Sequence, residues 1–393
     1  MRKVLLLVVF LPLVGGLLYW YLRPRTLPDY GPLYREYAYV TNGKSNSVSV
    51  VDMTPRPLPR FNVIKTIPVG RNPTGVTANA KKNEIYVVNT DSNNISIISA
   101  ETNQVIATIG VHGRPYFIDV SPDGRRAYVA NSGSKNVSVI NLEHRQVVGN
   151  IRVGAAPGLA RVSPDGTTVV VSNRGDDTVS LMDATGLRIR ATVLVCKQPQ
   201  DIAILADNSK AFIACPGAGQ IAVVDLKEAK TLAFLDVGKT PVNLALKPDG
   251  GELAVCNFDS DSISMIETNT NEVGSTYLIG THPTRALVTA DSSRLYVSNF
   301  GSDTVAVYDI DNGKVIATLP VGNRPDALAL SASEDYLLIV DSGSGDLAVI
   351  EKRAPTKLEP REYGLLTITQ VGLQPNNIAV KAFRLSKPVA VAH

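Results

Sequence analysis

Seven prolines fall on one strict period. Pro73, Pro115, Pro157, Pro199, Pro241, Pro283 and Pro325 each stand 42 residues from the next, and each ends a Val-Gly-x-x-Pro-like motif. An eighth copy, Val371-Gly372-Leu373-Gln374-Pro375, follows after 50 residues. A repeat of roughly 40–45 residues is one supersecondary unit that cannot cover both its faces alone, and this length suits a four-stranded propeller blade.

Each unit reads the same way. A short apolar strand follows the proline, as in Phe117-Ile118-Asp119-Val120. A tight turn comes next, often Pro-Asp-Gly, as in Pro122-Asp123-Gly124, Pro164-Asp165-Gly166 and Pro248-Asp249-Gly250. Proline presets φ, aspartate caps the turn and glycine takes the positive φ. The second strand carries the signature Tyr39-Val40-Thr41-Asn42, repeated as Tyr86-Val87-Val88-Asn89, Tyr128-Val129-Ala130-Asn131 and Tyr296-Val297-Ser298-Asn299. A third strand such as Val137-Ser138-Val139-Ile140 and a fourth such as Val315-Ile316-Ala317-Thr318-Leu319 complete the unit. Lys227-Glu228-Ala229-Lys230 has helical propensity, but the repeat places it in the turn between third and fourth strands.

These motifs resemble the YVTN family of β-propeller repeats, found in exported and surface-layer-like bacterial and archaeal proteins. The resemblance covers about residues 37–381. It implies an all-β propeller of four-stranded blades, and says little about chemistry because the signature residues form strands and turns.

Second-strand motifs end at residues 42, 89, 131, 173, 215, 257, 299 and 341, which counts eight blades, with seven as the alternative common among resembling proteins. The first motif has no first strand before it, while the last first strand, from Asn376 to Val380, stands at the C-terminus. Pairing the two closes the ring and removes its exposed edges. Two Pro-containing insertions break the period, Met53 to Asn62 and Lys352 to Gly364, both between third and fourth strands of the blades beside the closure.

The chain therefore divides into an apolar segment (1–22), a Pro-rich linker (23–36), the propeller (37–384) and a tail (385–393). Arg2 and Lys3 precede an uncharged run from Val4 to Leu22 that ends in Tyr19, Trp20 and Tyr21. As a helix it would span about 28 Å, near the hydrocarbon thickness of a bilayer, with the aromatic trio at the interface. An uncleaved transmembrane anchor and a cleaved signal peptide are the alternatives, and both export the body. The expected location is periplasmic or cell-surface, tethered to the cytoplasmic membrane. The net charge of +3 comes from this end: four basic residues lie in the first 25, leaving 35 basic against 36 acidic residues beyond them. A near-neutral body gives no global electrostatic case for nucleic acid, although a local patch would suffice for an anionic polymer.

No catalytic constellation is present. There is no Gly-x-Ser-x-Gly elbow, P-loop, His-Glu-x-x-His or Cys-x-x-Cys-His. Neither cofactor nor metal is expected. His112 and His282 lie four repeats apart, too distant to share an ion on the strength of sequence. Cys196 replaces the glycine of a Val-Gly-x-x-Pro loop, and Cys215 ends the following second strand on the same face; Cys256 lies one blade on. A Cys196–Cys215 disulfide, buried unpaired thiols and a functional thiol are the alternatives.

The strands keep repeat identity, whereas residues flanking the prolines do not. Arg71, Arg114, Tyr116, Gln200, Asp201, Asn243, Arg285, Arg324, Asp326, Asn376 and Asn377 should ring one mouth of the central channel. With Lys197 and Lys239 the arginines would make this rim positive, suiting a small anionic or polar ligand or a protein partner; a merely solvated rim reads the same way. The expected function is a non-catalytic binding or scaffold module acting through this loop face, as a monomeric ring. The rivals are a lactonase-like or quinoprotein-like enzyme, by fold analogy, and a nucleic-acid binder.

Overall fold

Every repeat folds into four antiparallel strands, as in Pro73–Ala78, Glu84–Asn89, Asn94–Ser99 and Gln104–Gly110. The computed structural model describes residues 30–56, 58–355 and 360–385. These form eight four-stranded sheets. The second and third strands are buried on both faces because a neighbouring blade covers each side. The fourth strand keeps a solvated face and alternates with period two, as Arg188–Leu194 does. The Asp-Gly turns fold as their chemistry dictates: Asp123 accepts hydrogen bonds from Ser121 Oγ (2.6 Å) and Arg125 N–H (3.0 Å), and Gly124 takes φ 70°.

The core is distributed between blades. Tyr86, Val88 and Ile97 of one blade pack on Ile118, Val129 and Ile140 of the next, and equivalent clusters recur round the ring. The ring closes through the C-terminal strand Pro375–Arg384, which pairs antiparallel with Tyr34–Asn42 in the register Tyr39↔Ala379. The first blade is thus three N-terminal strands and one C-terminal strand, and the ring has eight blades. We number the closure blade 1 and the others in chain order. The insertion after the third strand of blade 1 buries Met53 and Phe61 against Leu338 and Val349 of blade 8, while Thr369 Oγ1 donates to the Phe61 carbonyl.

The expected transmembrane helix, half of the linker and nearly all of the C-terminal tail lie outside the described residues. Among the described residues no helix is long and apolar enough to cross a membrane.

Candidate functional site

Strand direction alternates within each blade, so the Val-Gly-x-x-Pro loops and the loops after the second-strand asparagines share one face. Asparagine clasps build that face. In six blades the Asn Nδ2 donates to a side-chain oxygen five residues later, and in five of these also to a serine seven residues later. Asn89 bonds Asn94 (2.8 Å) and Ser96 (2.9 Å), and Asn173 bonds Thr178 (3.0 Å) and Ser180 (2.9 Å). Asn42, Asn131 and Asn257 do the same. Asn299, which has Ala306 at the second position, donates to the Ile279 carbonyl instead. The glycine of the motif lies directly against the clasp. A Cβ on Gly70 would stand 2.6 Å from Asn89 Cβ, and one on Gly238 equally close to Asn257. Blade 3 has His112 at this position, and nothing in the structure explains that exception.

Two blades replace the clasp. In blade 5 Cys196 takes the glycine position and Cys215 the asparagine position, and the two form a disulfide with Cα atoms 5.6 Å apart. The close approach that leaves no room for a Cβ beside asparagine is what brings two cysteines within bonding reach. Cys256 is free and buried, and burial pushes its thiol up to about 12, so it is not a thiolate at neutral pH. In blade 8 the clasp pair is Asp341 and Asp346. Asp341 Oδ2 accepts the Gly322 N–H (3.1 Å), while Oδ1 of each carboxyl is buried with no partner among the described residues. Burial, and then Asp346, push the Asp341 carboxyl up to about 8.

The mouth of the channel opens on this face as a cavity of about 250 Å³ to which all eight blades contribute. Blades 3 and 4 supply a hydrophobic arc, Tyr116, Phe117 and Leu159; Arg161, Gln200, Asp201, Arg285, Asp326, Asn376 and Asn377 supply the polar remainder, with Thr74 and Val242 between. The Arg161 guanidinium lies over the Phe117 ring at 4.5 Å, and Arg174 over Tyr116 at 4.9 Å.

The carboxylate nearest Arg161 is already satisfied elsewhere. Asp201 accepts hydrogen bonds from Ile202 N–H (2.9 Å), Asn243 Nδ2 (2.9 Å) and Leu244 N–H (3.0 Å), and its approach to Arg161 Nη2 is only 3.9 Å. Asn243 passes the stitch on by accepting the Ala286 N–H (2.8 Å), so this pair sews blades 5, 6 and 7 together. Asp119 likewise accepts Val162 N–H from blade 4. Asp326 is pushed up by burial, partly offset by Arg285. Among the described residues, neither the Arg161 nor the Arg285 guanidinium donates a hydrogen bond to protein.

Of the rim residues expected from sequence, Tyr116, Gln200, Asp201, Arg285, Asp326, Asn376 and Asn377 line the cavity. Arg71, Arg114 and Arg324 do not. The residue just before each proline has positive φ in every blade, from 48° at Ala156 to 58° at Gln198, and this left-handed turn carries Arg114 and Arg324 onto the exposed loop. Arg71, two before its proline, is held there by Asp91 O (3.1 Å). Asn243 is turned into the wall. Reasoning from sequence missed Arg161, Phe117, Leu159, Thr74 and Val242. The signal for Arg161 was present: four residues after the proline, the other blades hold Thr77, Asp119, Ala203, Ala245, Leu287, Ala329 and Ala379, and only this one is a cation. His282 stacks on Phe258 away from the cavity lining, and no group of three or more His, Cys, Asp or Glu among the described residues could hold a metal ion.

None of the curated proteins compared matches the sequence. Solved structures match in abundance, 1681 chains, so likeness to them identifies an architecture and not a chemistry. Hydrazine synthase from Kuenenia stuttgartiensis aligns at 19% identity and TM-score 0.58 over 71% of this chain and 95% of that one. A functionally unknown protein from Desulfotomaculum acetoxidans aligns at 18% and 0.59, over 77% and 99%. The dihydro-heme d1 dehydrogenase NirN, in complex with DHE, aligns at 15% and 0.72, over 91% and 76%. The family model of the YNCE-like beta-propeller matches residues 18–162, which include blades 2 and 3 complete. With eight blades built from one repeating sequence motif, the chain is a YVTN-like β-propeller repeat protein.

Proposed function

We propose that the ring is a non-catalytic, extracytoplasmic binding module, tethered by its N-terminal segment, that takes a small anionic ligand with a flat or apolar part at the channel mouth. One observation carries this reading. Arg161 of blade 4 and Arg285 of blade 7 line one cavity with their hydrogen-bond donors uncommitted to protein, and the Arg161 guanidinium lies over the face of Phe117. Arginine presents a planar fork of donors that matches carboxylate or phosphate, and a partly desolvated site strengthens that pairing. The non-catalytic part is supported by the lining, where Asp201 is consumed by backbone stitching and Thr74 Oγ1 donates to the Tyr116 carbonyl of the next blade. The extracytoplasmic part is supported by the Cys196–Cys215 disulfide, a bond that persists in oxidising compartments.

Calorimetric titration of the purified full-length protein with benzoate tests the reading. Saturable binding is expected, weakened about tenfold or more by Arg161→Gln and by Arg285→Gln, with melting unchanged. Binding indifferent to both substitutions, or no saturable heat, contradicts it.

A further inference from the structure

An open groove of about 540 Å³ adjoins the channel cavity on the same face, and the two share Asp326 and Asn376 in their walls. Phe300 of blade 7, Arg324 of blade 8, and Lys44 and Leu373 of blade 1 line it. The residue directly after the clasp position is Gly43, Thr90, Ser132, Arg174, Pro216 or Ser342 in six blades, but Phe258 and Phe300 in blades 6 and 7. Neither ring is buried in the core. Phe258 is stacked by His282 at 4.4 Å and has Phe300 at 6.3 Å, while Arg324 lies 5.8 Å from the centre of the Phe300 ring. Leu373, also in the groove lining, is 66% exposed. The Lys44 and Arg324 side chains face solvent, and the nearby Asp303 carboxylate already accepts Arg324 N–H and Asn323 Nδ2.

A groove that holds Phe300 and Leu373 together with Arg324 and Lys44, and that shares its wall with a cavity lined by Arg161 and Arg285, has a definite complement. We propose that cavity and groove form one bipartite site for an elongated dianion. One anionic group is held by Arg161 and Arg285, an apolar or aromatic body lies over Phe300 and Leu373, and a second anionic group meets Arg324 and Lys44. This rests on the anion reading of the cavity and adds the ligand's length, its second charge and its apolar middle. Asp326, at the seam, is pushed up by burial, with Arg285 opposing.

The test compares benzoate with biphenyl-4,4′-dicarboxylate on the full-length protein by calorimetry. The dicarboxylate is expected to bind about tenfold or more tightly than benzoate, since burial of a second ring and a second charge-assisted pair each contribute. Phe300→Ala and Arg324→Gln should each remove most of that advantage while leaving benzoate affinity unchanged. Equal affinity of the two probes overturns the bipartite site and leaves the anion reading standing. An advantage that survives both substitutions also overturns it. Dicarboxylate binding sensitive to Arg324→Gln but not to Arg161→Gln places the ligand in the groove alone and overturns it too. Binding of neither probe overturns both readings.

Discussion

Blade 5 and blade 8 depart from the repeat at the same place in opposite directions. Where six blades put an asparagine whose amide donates to neighbouring side chains, blade 5 puts Cys215, bonded covalently to Cys196. Blade 8 puts Asp341 facing Asp346, two groups that both accept unless one is protonated. The first replaces two hydrogen bonds with a bond that does not respond to pH. The second keeps the geometry but makes it conditional on a proton. The lesson concerns the repeat itself: the glycine–asparagine contact is a fixed short distance, and each substitute is chemistry that such a distance permits.

The largest effect is expected at blade 5. Reduction of the disulfide, or Cys215→Ser, should cost about 3 kcal/mol in denaturant unfolding, the scale expected for a closed loop of this size. The double change Cys196→Gly with Cys215→Asn should recover about 1 kcal/mol of it by restoring one arm of a clasp, to Gln220, since Ala222 stands at the second acceptor position. Identical unfolding midpoints with and without reductant would show that the bond adds nothing to the blade.

At blade 8 the expected effect has a sign fixed by pH. The Asp341 carboxyl is raised from 3.8 to about 8 in the folded chain, so its proton stabilises the fold fully below about pH 4, and that contribution is lost as pH rises through about 8. Asp341→Asn supplies a permanent N–H donor. Its advantage over the parent should be near zero at pH 4, grow steadily as pH rises and level off above about 8. Parallel stability curves across that range would mean the carboxyl pair is not coupled to folding.

The ordinary clasp gives the smallest effects. Asn89→Ala should cost about 1 kcal/mol through the lost bonds to Asn94 and Ser96. Gly70→Ala should cost about 1–2 kcal/mol, because its Cβ would overlap Asn89. In the double variant the two costs should fall slightly short of adding, since removing Asn89 Cγ and Nδ2 relieves part of the overlap while the contact with Cβ at 2.6 Å remains. Additive costs would separate the glycine from the clasp.

Architecture was legible because it is enforced many times over. One proline interval, one Tyr-Val-Thr-Asn strand and an orphan first strand at the C-terminus specify blades, their number and their closure, and Tyr34–Asn42 duly pairs with Pro375–Arg384. The mouth was legible only in part, because a strand's inward face is read at every second residue while loop direction is not readable at all. Arg285 and Arg324 both flank prolines, yet one follows and points into the channel, and the other precedes, in a left-handed turn, and points away. Arg161 lies inside a strand, where a single cation in the repeat carries no pattern of its own, and only the closed ring places it beside Phe117. Asn243 looked like a ligand contact and is a stitch between blades.

The claim on which the functional account turns is that the repeat gives way, at the channel mouth, to a built anion site. A crystal structure of the ring saturated with biphenyl-4,4′-dicarboxylate tests it most directly. One carboxylate is expected within hydrogen-bonding distance of both Arg161 and Arg285, its ring beside Phe117. A probe bound elsewhere, with the two guanidiniums folded back onto Asp201 and Asp326, would contradict it.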